Sequence, residues 1–328
     1  MTNSAFTFLP SSMNKSMYKL VCNLVFSVLL CLVSSELMAQ SFGNIQDPIT
    51  AHYSQTMIAH NPAYSSGTDF GEFHFSGQNL ANTFDTLSDK SFILAFQSPN
   101  SNFPGGLGGQ LVYVYSAFNA RIINLQINFS YKVVESETQI LSVGGSLGGG
   151  MRETLIGQFP TSGSPAIATR FYPDLNAGIW YTNYKLFLGV GAAHITRPRL
   201  EYTPSIVSII NDVYYLSGGY KFEIEGIEII PSFMGRFRNT SDFLSDVQVN
   251  ANYENKFGLG VGYRTDLRRN PIIINPSVQQ APRFRQVLAT GSVGIKEFTI
   301  FATYSRTLSQ FGIAPDNFEM TLSYRFKS

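Results

Sequence analysis

From residue 123 to 133 the chain alternates without a break: Ile123, Leu125, Ile127, Phe129, Tyr131 and Val133 interleave with Asn124, Gln126, Asn128, Ser130 and Lys132. The same period of two closes the sequence, where Met320, Leu322, Tyr324 and Phe326 interleave with Thr321, Ser323 and Arg325. Successive side chains of a strand point to opposite faces, so each segment predicts a strand with one apolar and one polar face. A soluble sandwich also alternates, but its strands average about 5–6 residues and hide the apolar face in a closed core. The strongest segments here approach the about 10 residues that a tilted membrane-crossing β-strand needs.

Strands are predicted at residues 72–76, 90–97, 109–115, 121–134, 139–147, 176–182, 185–194, 213–222, 227–234, 247–253, 256–263, 286–295, 298–306 and 319–326. The count of about 14 is even, as in single-chain bacterial barrels, where closure removes the edges that lipid cannot satisfy. The expected fold is therefore all-β, a transmembrane antiparallel β-barrel over residues 72–328. Short links at 183–184, 254–255 and 296–297 alternate with long ones at 148–175, 195–212, 235–246, 264–285 and 307–318. Short turns of outer-membrane barrels face the periplasm. That parity places both termini there, with residues 40–71 as a short periplasmic segment ahead of the barrel.

Lys15 and Lys19 precede an apolar run at residues 20–33, which ends in Ser34, Ser35 and Glu36 and then Leu37-Met38-Ala39. The pattern predicts a secretory signal peptide over residues 1–39, cut before Gln40. A membrane anchor helix competes, but the run is shorter than the roughly 20 residues that span a bilayer. Both cysteines, Cys22 and Cys31, fall in this leader. The exported chain would then carry no disulfide, thiolate metal site or thiol nucleophile.

Charged and aromatic residues each make up 14% of the chain, whereas about 25% charged is usual for a soluble globule. A hydrophobic content of 44% excludes disorder. The formal net charge of +1 gives no global electrostatic case for nucleic acid.

Candidate chemistry is sparse. Gly144-Gly145-Ser146-Leu147-Gly148 has the spacing of a nucleophile elbow, which needs a strand-to-helix turn. No helical pattern follows, and a glycine-rich strand end accounts for the same residues. His52, His60, His74 and His194 show no local spacing that would fix a metal or pair them with a carboxylate, so no metal or other cofactor is expected. Glu135 and Glu137, and Glu223, Glu225 and Glu228, fall at predicted turns; solvated hairpins explain them better than acid and base work. Arg264, Arg268, Arg269, Arg283 and Arg285 face only Asp266 in the link at 264–285. This predicts a positive external loop able to meet lipid phosphates or an acidic partner. Lys132 and Arg325 suit a wet barrel interior, and Trp180 suits an interfacial aromatic girdle.

Gln46-Asp47-Pro48, His52-Tyr53-Ser54-Gln55 and His60-Asn61-Pro62-Ala63-Tyr64 resemble the mature amino terminus of the PorP/SprF family of type IX secretion system membrane proteins. Downstream phrases fit in order: Gly105-Gly106-Leu107-Gly108, Phe171-Tyr172-Pro173-Asp174-Leu175-Asn176-Ala177-Gly178, Tyr214-Tyr215-Leu216-Ser217-Gly218-Gly219-Tyr220, Lys256-Phe257-Gly258-Leu259-Gly260-Val261-Gly262-Tyr263-Arg264 and Leu322-Ser323-Tyr324-Arg325-Phe326. The resemblance implies an outer-membrane barrel of Bacteroidota serving secretion, gliding adhesin display or surface attachment rather than catalysis. It also implies a lipid setting, a periplasmic partner of the peptidoglycan-binding type, and a secreted cargo or adhesin recognised through its carboxy-terminal sorting domain. The partner-binding candidates it marks are Asp47, Pro48, Tyr53, Asn61, Pro62, Ala63 and Tyr64.

Asp47-Pro48 and Asn61-Pro62 restrict the residue before each proline to extended or turn conformations. The segment thus suits a fixed plug or a docking surface, against a solvated tail. Three functions compete: a non-enzymatic secretion component, a passive or hydrophobic-solute channel, and an outer-membrane lipid hydrolase built on Ser146.

Overall fold

The computed structural model describes residues 50–80, 89–100, 104–116, 120–158, 165–183, 185–204, 206–238, 242–266, 285–308 and 316–327. All of them belong to the compact unit Ala39–Ser328. The expected signal peptide lies outside the described residues.

Among the described residues, two short 3-10 turns, Met57–Ala59 and Pro62–Ser66, precede 17 strands. These are β1 (Phe70–Leu80), β2 (Asp89–Asn100), β3 (Gly105–Ser116), β4 (Ala120–Glu135), β5 (Gln139–Gln158), β6 (Pro165–Asn183), β7 (Leu186–Ala193), β8 (Arg199–Thr203), β9 (Ile206–Ile209), β10 (Val213–Tyr220), β11 (Phe222–Ile224), β12 (Ile227–Arg238), β13 (Asp242–Tyr253), β14 (Phe257–Asp266), β15 (Arg285–Ile295), β16 (Phe298–Thr307) and β17 (Asn317–Lys327). Each wall strand pairs antiparallel with its neighbours in sequence, β1 pairs with β17, and β10 pairs with β12. The sheet is therefore closed. Because β11 continues β10 past a break at Lys221, and β8 and β9 form a separate hairpin, the wall has the expected fourteen strands.

The greasy face points out. On β1, Phe73 and Phe75 are 46% and 49% exposed, while Glu72 and His74 between them are 3% and 1% exposed. The same phase holds around the wall: Leu125, Ile127 and Phe129 face out while Asn124, Gln126 and Asn128 are buried within. In water this arrangement would be costly at about 25 cal/mol per Å² of apolar surface; against hydrocarbon it is what a membrane strand requires. None of the described helices is long and apolar enough to cross a membrane. The strands cross instead, with their backbone groups satisfied by the closed ladder.

Connections at the rim that carries the start of β1 and the end of β17 are tight. At Glu254 and Asn255, φ values of 48° and 54° put both residues in the left-handed region that suits a two-residue hairpin turn. At the opposite rim residues 194–212 form a long connection.

Three expectations need correction. The stretch at 148–175 is not a loop: β5 runs on to Gln158 and β6 begins at Pro165. The stretch at 235–246 is not one either, since β12 runs on to Arg238 and β13 begins at Asp242. Gly148 to Gly150 imitate a turn in sequence, but the space above Gly148 is taken by the Leu125 carbonyl and by Gln126, and above Gly150 by the Tyr172 ring. Their missing side chains make room inside the barrel rather than a bend. Likewise Arg264 belongs to β14 and Arg285 to β15, not to an external loop, because the ladders continue through the pairs Asp246–Arg264 and Thr265–Arg285. Arg268, Arg269 and Arg283 lie outside the described residues.

At the opposite rim the β8–β9 hairpin folds over the mouth. Leu200, Tyr202 and Ile210 cluster with Tyr172 of β6. Arg170 Nε donates to the Glu201 carbonyl at 2.6 Å, and its Nη2 donates to the Tyr202 carbonyl at 3.3 Å.

Candidate functional site

Residues 50–69, the described part of the segment ahead of the barrel, lie inside the lumen as a plug. Local chemistry shapes it first. Asn61 sits extended before Pro62, as the proline ring demands (φ −144°, ψ 106°). Pro62 opens the second 3-10 turn, where a missing N–H costs nothing, and Asn61 Oδ1 caps that turn by accepting from Ala63 N at 3.0 Å. The other end of the same amide fastens the turn to the wall. Asn61 Nδ2 donates to the carbonyls of Ile179 on β6 at 2.9 Å and Val190 on β7 at 3.3 Å.

The plug then follows the inner wall from strand to strand. At its start, the Ala51 N–H donates to Glu319 Oε2 at 2.5 Å, and Gln248 Nε2 donates to the Ala51 carbonyl at 2.7 Å. Arg264 Nη2 donates to the Thr50 carbonyl at 3.0 Å while the guanidinium grips Asp246 through two bonds of 2.6 and 2.9 Å. His52 bridges Thr321 at 2.8 Å and Thr303 at 2.7 Å, with Glu319 Oε1 3.1 Å from its Nδ1. Every charge here is buried and every charge has an opposite or donor beside it, the condition under which ions survive away from water. Burial pushes the Tyr53 phenol far above its ordinary pKa, so it stays neutral and hydrogen-bonds to Ser232 Oγ at 2.9 Å.

Further along, apolar contacts take over. Tyr53, Met57 and Ala63 join Trp180, Val213, Tyr215 and Met234 in one cluster, and Ile58 joins Ile93, Val112, Val114 and Ile122 in another. The plug backbone finally lies directly on glycine. A Cβ on Gly106 would fall into the Ser65 carbonyl, one on Gly178 into the Asn61 amide, and one on Gly191 into the His60 carbonyl. Ser142 Oγ donates to the Ala63 carbonyl at 2.8 Å beside Gly144.

Beneath the plug, toward the rim of the termini, a cavity of about 540 Å³ remains. Met57, Tyr64 and Gly67 belong to its lining on the plug side, with Trp180, Phe187 and Phe301 from the wall. Asn250, Asn252, Thr290 and Ser292 supply polar wall, and Glu137, Lys185 and Lys221 come from turns at the rim.

Of the residues marked in sequence, Tyr53, Asn61, Pro62 and Ala63 are buried against the wall. Tyr64 is partly buried and meets Trp180 edge-on, with ring centroids 4.9 Å apart. Asp47 and Pro48 lie outside the described residues. Trp180 is not a girdle residue: Ile179 takes the outward phase, and Trp180 turns in beneath the plug at 3% exposure. Three histidines do pair with carboxylates, contrary to expectation: His52 with Glu319, His74 with Glu72 at 3.1 Å and His194 with Asp174 at 2.7 Å. The strand pairing brings most of these partners together over distances no local spacing reveals. Among the described residues no group of three or more His, Cys, Asp or Glu could hold a metal. Ser146 sits within β5 rather than on a strand-to-helix turn, and its hydroxyl donates to Gln126 Oε1 at 3.0 Å. Sequence reading missed Asp246, Gln248 and Glu319; their polar phase was visible, but nothing local linked them to Thr50 and Ala51.

A family model described as type IX secretion system membrane protein PorP/SprF matches residues 42–324. No curated protein matches the chain. Among solved structures, a deltaS2 mutant of the TodX monoaromatic hydrocarbon channel is 12% identical, with 84% of this chain and 94% of that one covered and a TM-score of 0.50. A Pseudomonas aeruginosa FadL homologue is 12% identical over 81% of this chain and 92% of its own, with a TM-score of 0.49. The Pseudomonas putida toluene transporter TodX is 12% identical over 86% and 95%, with a TM-score of 0.47. At such identity the likeness to the TodX mutant is one of fold alone.

Proposed function

The chain belongs to the PorP/SprF family of type IX secretion system membrane proteins, and from that premise we propose that it is a non-enzymatic platform of the outer membrane, assisting secretion or surface attachment of cargo. In this reading the rim of the termini faces the periplasm, reached through an amino-terminal signal peptide. The cavity below the plug receives a periplasmic partner of the peptidoglycan-binding type, and cargo or adhesin is recognised by its carboxy-terminal sorting domain.

One observation carries the proposal: the lumen is occupied by the chain's own residues 50–69, hydrogen-bonded to β5, β6, β7, β12, β13, β14, β16 and β17. A barrel built around its own plug is poorly suited to pass a polypeptide and well suited to hold a fixed surface in the membrane. A hydrophobic-solute channel is the second reading, favoured by the aromatic lining of the cavity at Trp180, Phe187 and Phe301 and by the fold shared with a hydrocarbon channel.

The test pairs planar-bilayer recording with affinity purification from solubilised outer membrane. The full chain is expected to conduct no steady current and to bring down periplasmic proteins, whereas a chain lacking residues 50–69 conducts and loses them. Equal conductance and equal co-purification from both forms would overturn the platform reading.

A further inference from the structure

On the far side of the plug, inward residues of β3, β4 and β6 converge in register. Gln110 stands opposite Gln126, Gln126 opposite Gly148, and Gly148 opposite Asp174. Since position 148 has no side chain, Gln126 reaches past it to the fully buried Asp174. Asp174 Oδ2 accepts from Asn124 Nδ2 at 3.0 Å and Gln126 Nε2 at 2.8 Å, and lies 2.7 Å from His194 Nδ1.

The other carboxylate oxygen, Asp174 Oδ1, is buried without a hydrogen-bond partner among the described residues, and so are Asn124 Oδ1 and Gln110 Oε1. Turning the Asn124 amide over would set its oxygen against the carboxylate, so its orientation is fixed by charge. All three residues border one cavity of about 20 Å³, which Ala59 and His60 of the plug also line. That volume admits a single water-sized occupant, since each water needs about 10–15 Å³. A water molecule donates only two hydrogen bonds, and three orphaned acceptors belong to the residues around it. An unsatisfied buried acceptor costs about 1–3 kcal/mol, whereas a cation takes oxygen ligands alone and needs no donor geometry.

We propose that this cavity binds one monovalent alkali cation of the sodium class, ligated by Asp174 Oδ1, Asn124 Oδ1 and Gln110 Oε1. Hard oxygen donors suit such an ion. A single carboxylate neutralises a single charge; a divalent ion would leave net charge in a buried site. Because Ala59 and His60 line the same cavity, the ion ties the plug to the β3–β6 side of the wall.

The full chain in detergent is to be melted in sodium chloride and, at equal ionic strength, in tetramethylammonium chloride, whose cation is too large for the cavity. The wild type gains about 2–4 °C in sodium, and Asp174→Asn, which supplies an amide donor in place of the ion, gains nothing. Should that variant not fold, Gln110→Leu takes its place and shows a reduced gain. Crystals grown in rubidium chloride show an anomalous peak bounded by the three oxygens. Equal wild-type midpoints in the two salts, an undiminished sodium gain in the folded variant, or water without anomalous signal in the cavity would each overturn the site.

Discussion

The two arms of the plug are held by opposite means. Residues 50–53 are held by polar side chains of β12, β13, β14 and β17, with Arg264, Asp246 and Glu319 buried among them. Residues 60–66 instead lie on the wall itself, their backbone seated over Gly106, Gly144 and Gly191 and the Asn61 side chain over Gly178. A side-chain grip concentrates charge in a dry place and fails when one charge is removed. A glycine bed carries no charge and fails when volume is added. The first arm should therefore be sensitive to electrostatics and the second to shape.

The largest effect is expected from Arg264→Met. It leaves Asp246 buried without its cation and frees the Thr50 carbonyl, and removing one partner of a buried pair costs about 3–5 kcal/mol. Urea unfolding in lipid vesicles would measure it. Adding Asp246→Leu removes the stranded charge and should restore most of the loss. If the double variant is as unstable as the single, packing rather than charge holds the first arm.

Gly178→Val comes next, because the new side chain must displace the Asn61 amide from its seat between β6 and β7. Overpacking of this kind costs about 1–3 kcal/mol. Its more telling readout is limited proteolysis: the chain near Asn61 should become cleavable while the barrel stays folded. Protection unchanged from wild type would mean that the second arm is not seated by shape.

The contrast also explains what the amino-acid pattern could reveal. Strand number, closure and the outward apolar face follow from period two, because every wall strand has one lipid side and repeats the same local rule. The extended backbone at Asn61 was legible for a similar reason, since proline acts on its immediate neighbour. What the sequence hid depends on contacts between distant strands. Gly148 and Gly150 read as a turn because the ring of Tyr172 and the amide of Gln126, which need the vacant space, lie on other strands. Arg264 read as a loop residue because its partners Asp246 and Thr50 become neighbours only when the barrel closes around the plug. The phase of Trp180 was likewise ambiguous until Ile179 took the lipid side.

The smallest effect expected is that of Tyr53→Phe. The ring keeps its place among Met57, Val213 and Met234, and only the bond to Ser232 is lost. The net loss is that of one hydrogen bond, about 0.5–1.5 kcal/mol. Because Tyr53 adjoins the charged network without carrying charge in it, the substitution separates hydrogen bonding from electrostatics within the first arm. Combined with Arg264→Met, the two losses should fall short of their sum, since once the Thr50 carbonyl is released the Tyr53 ring is no longer held over Ser232. Strict additivity in the same unfolding assay would instead mean that residues 50 and 53 are gripped independently, and the first arm would have to be described as two separate contacts.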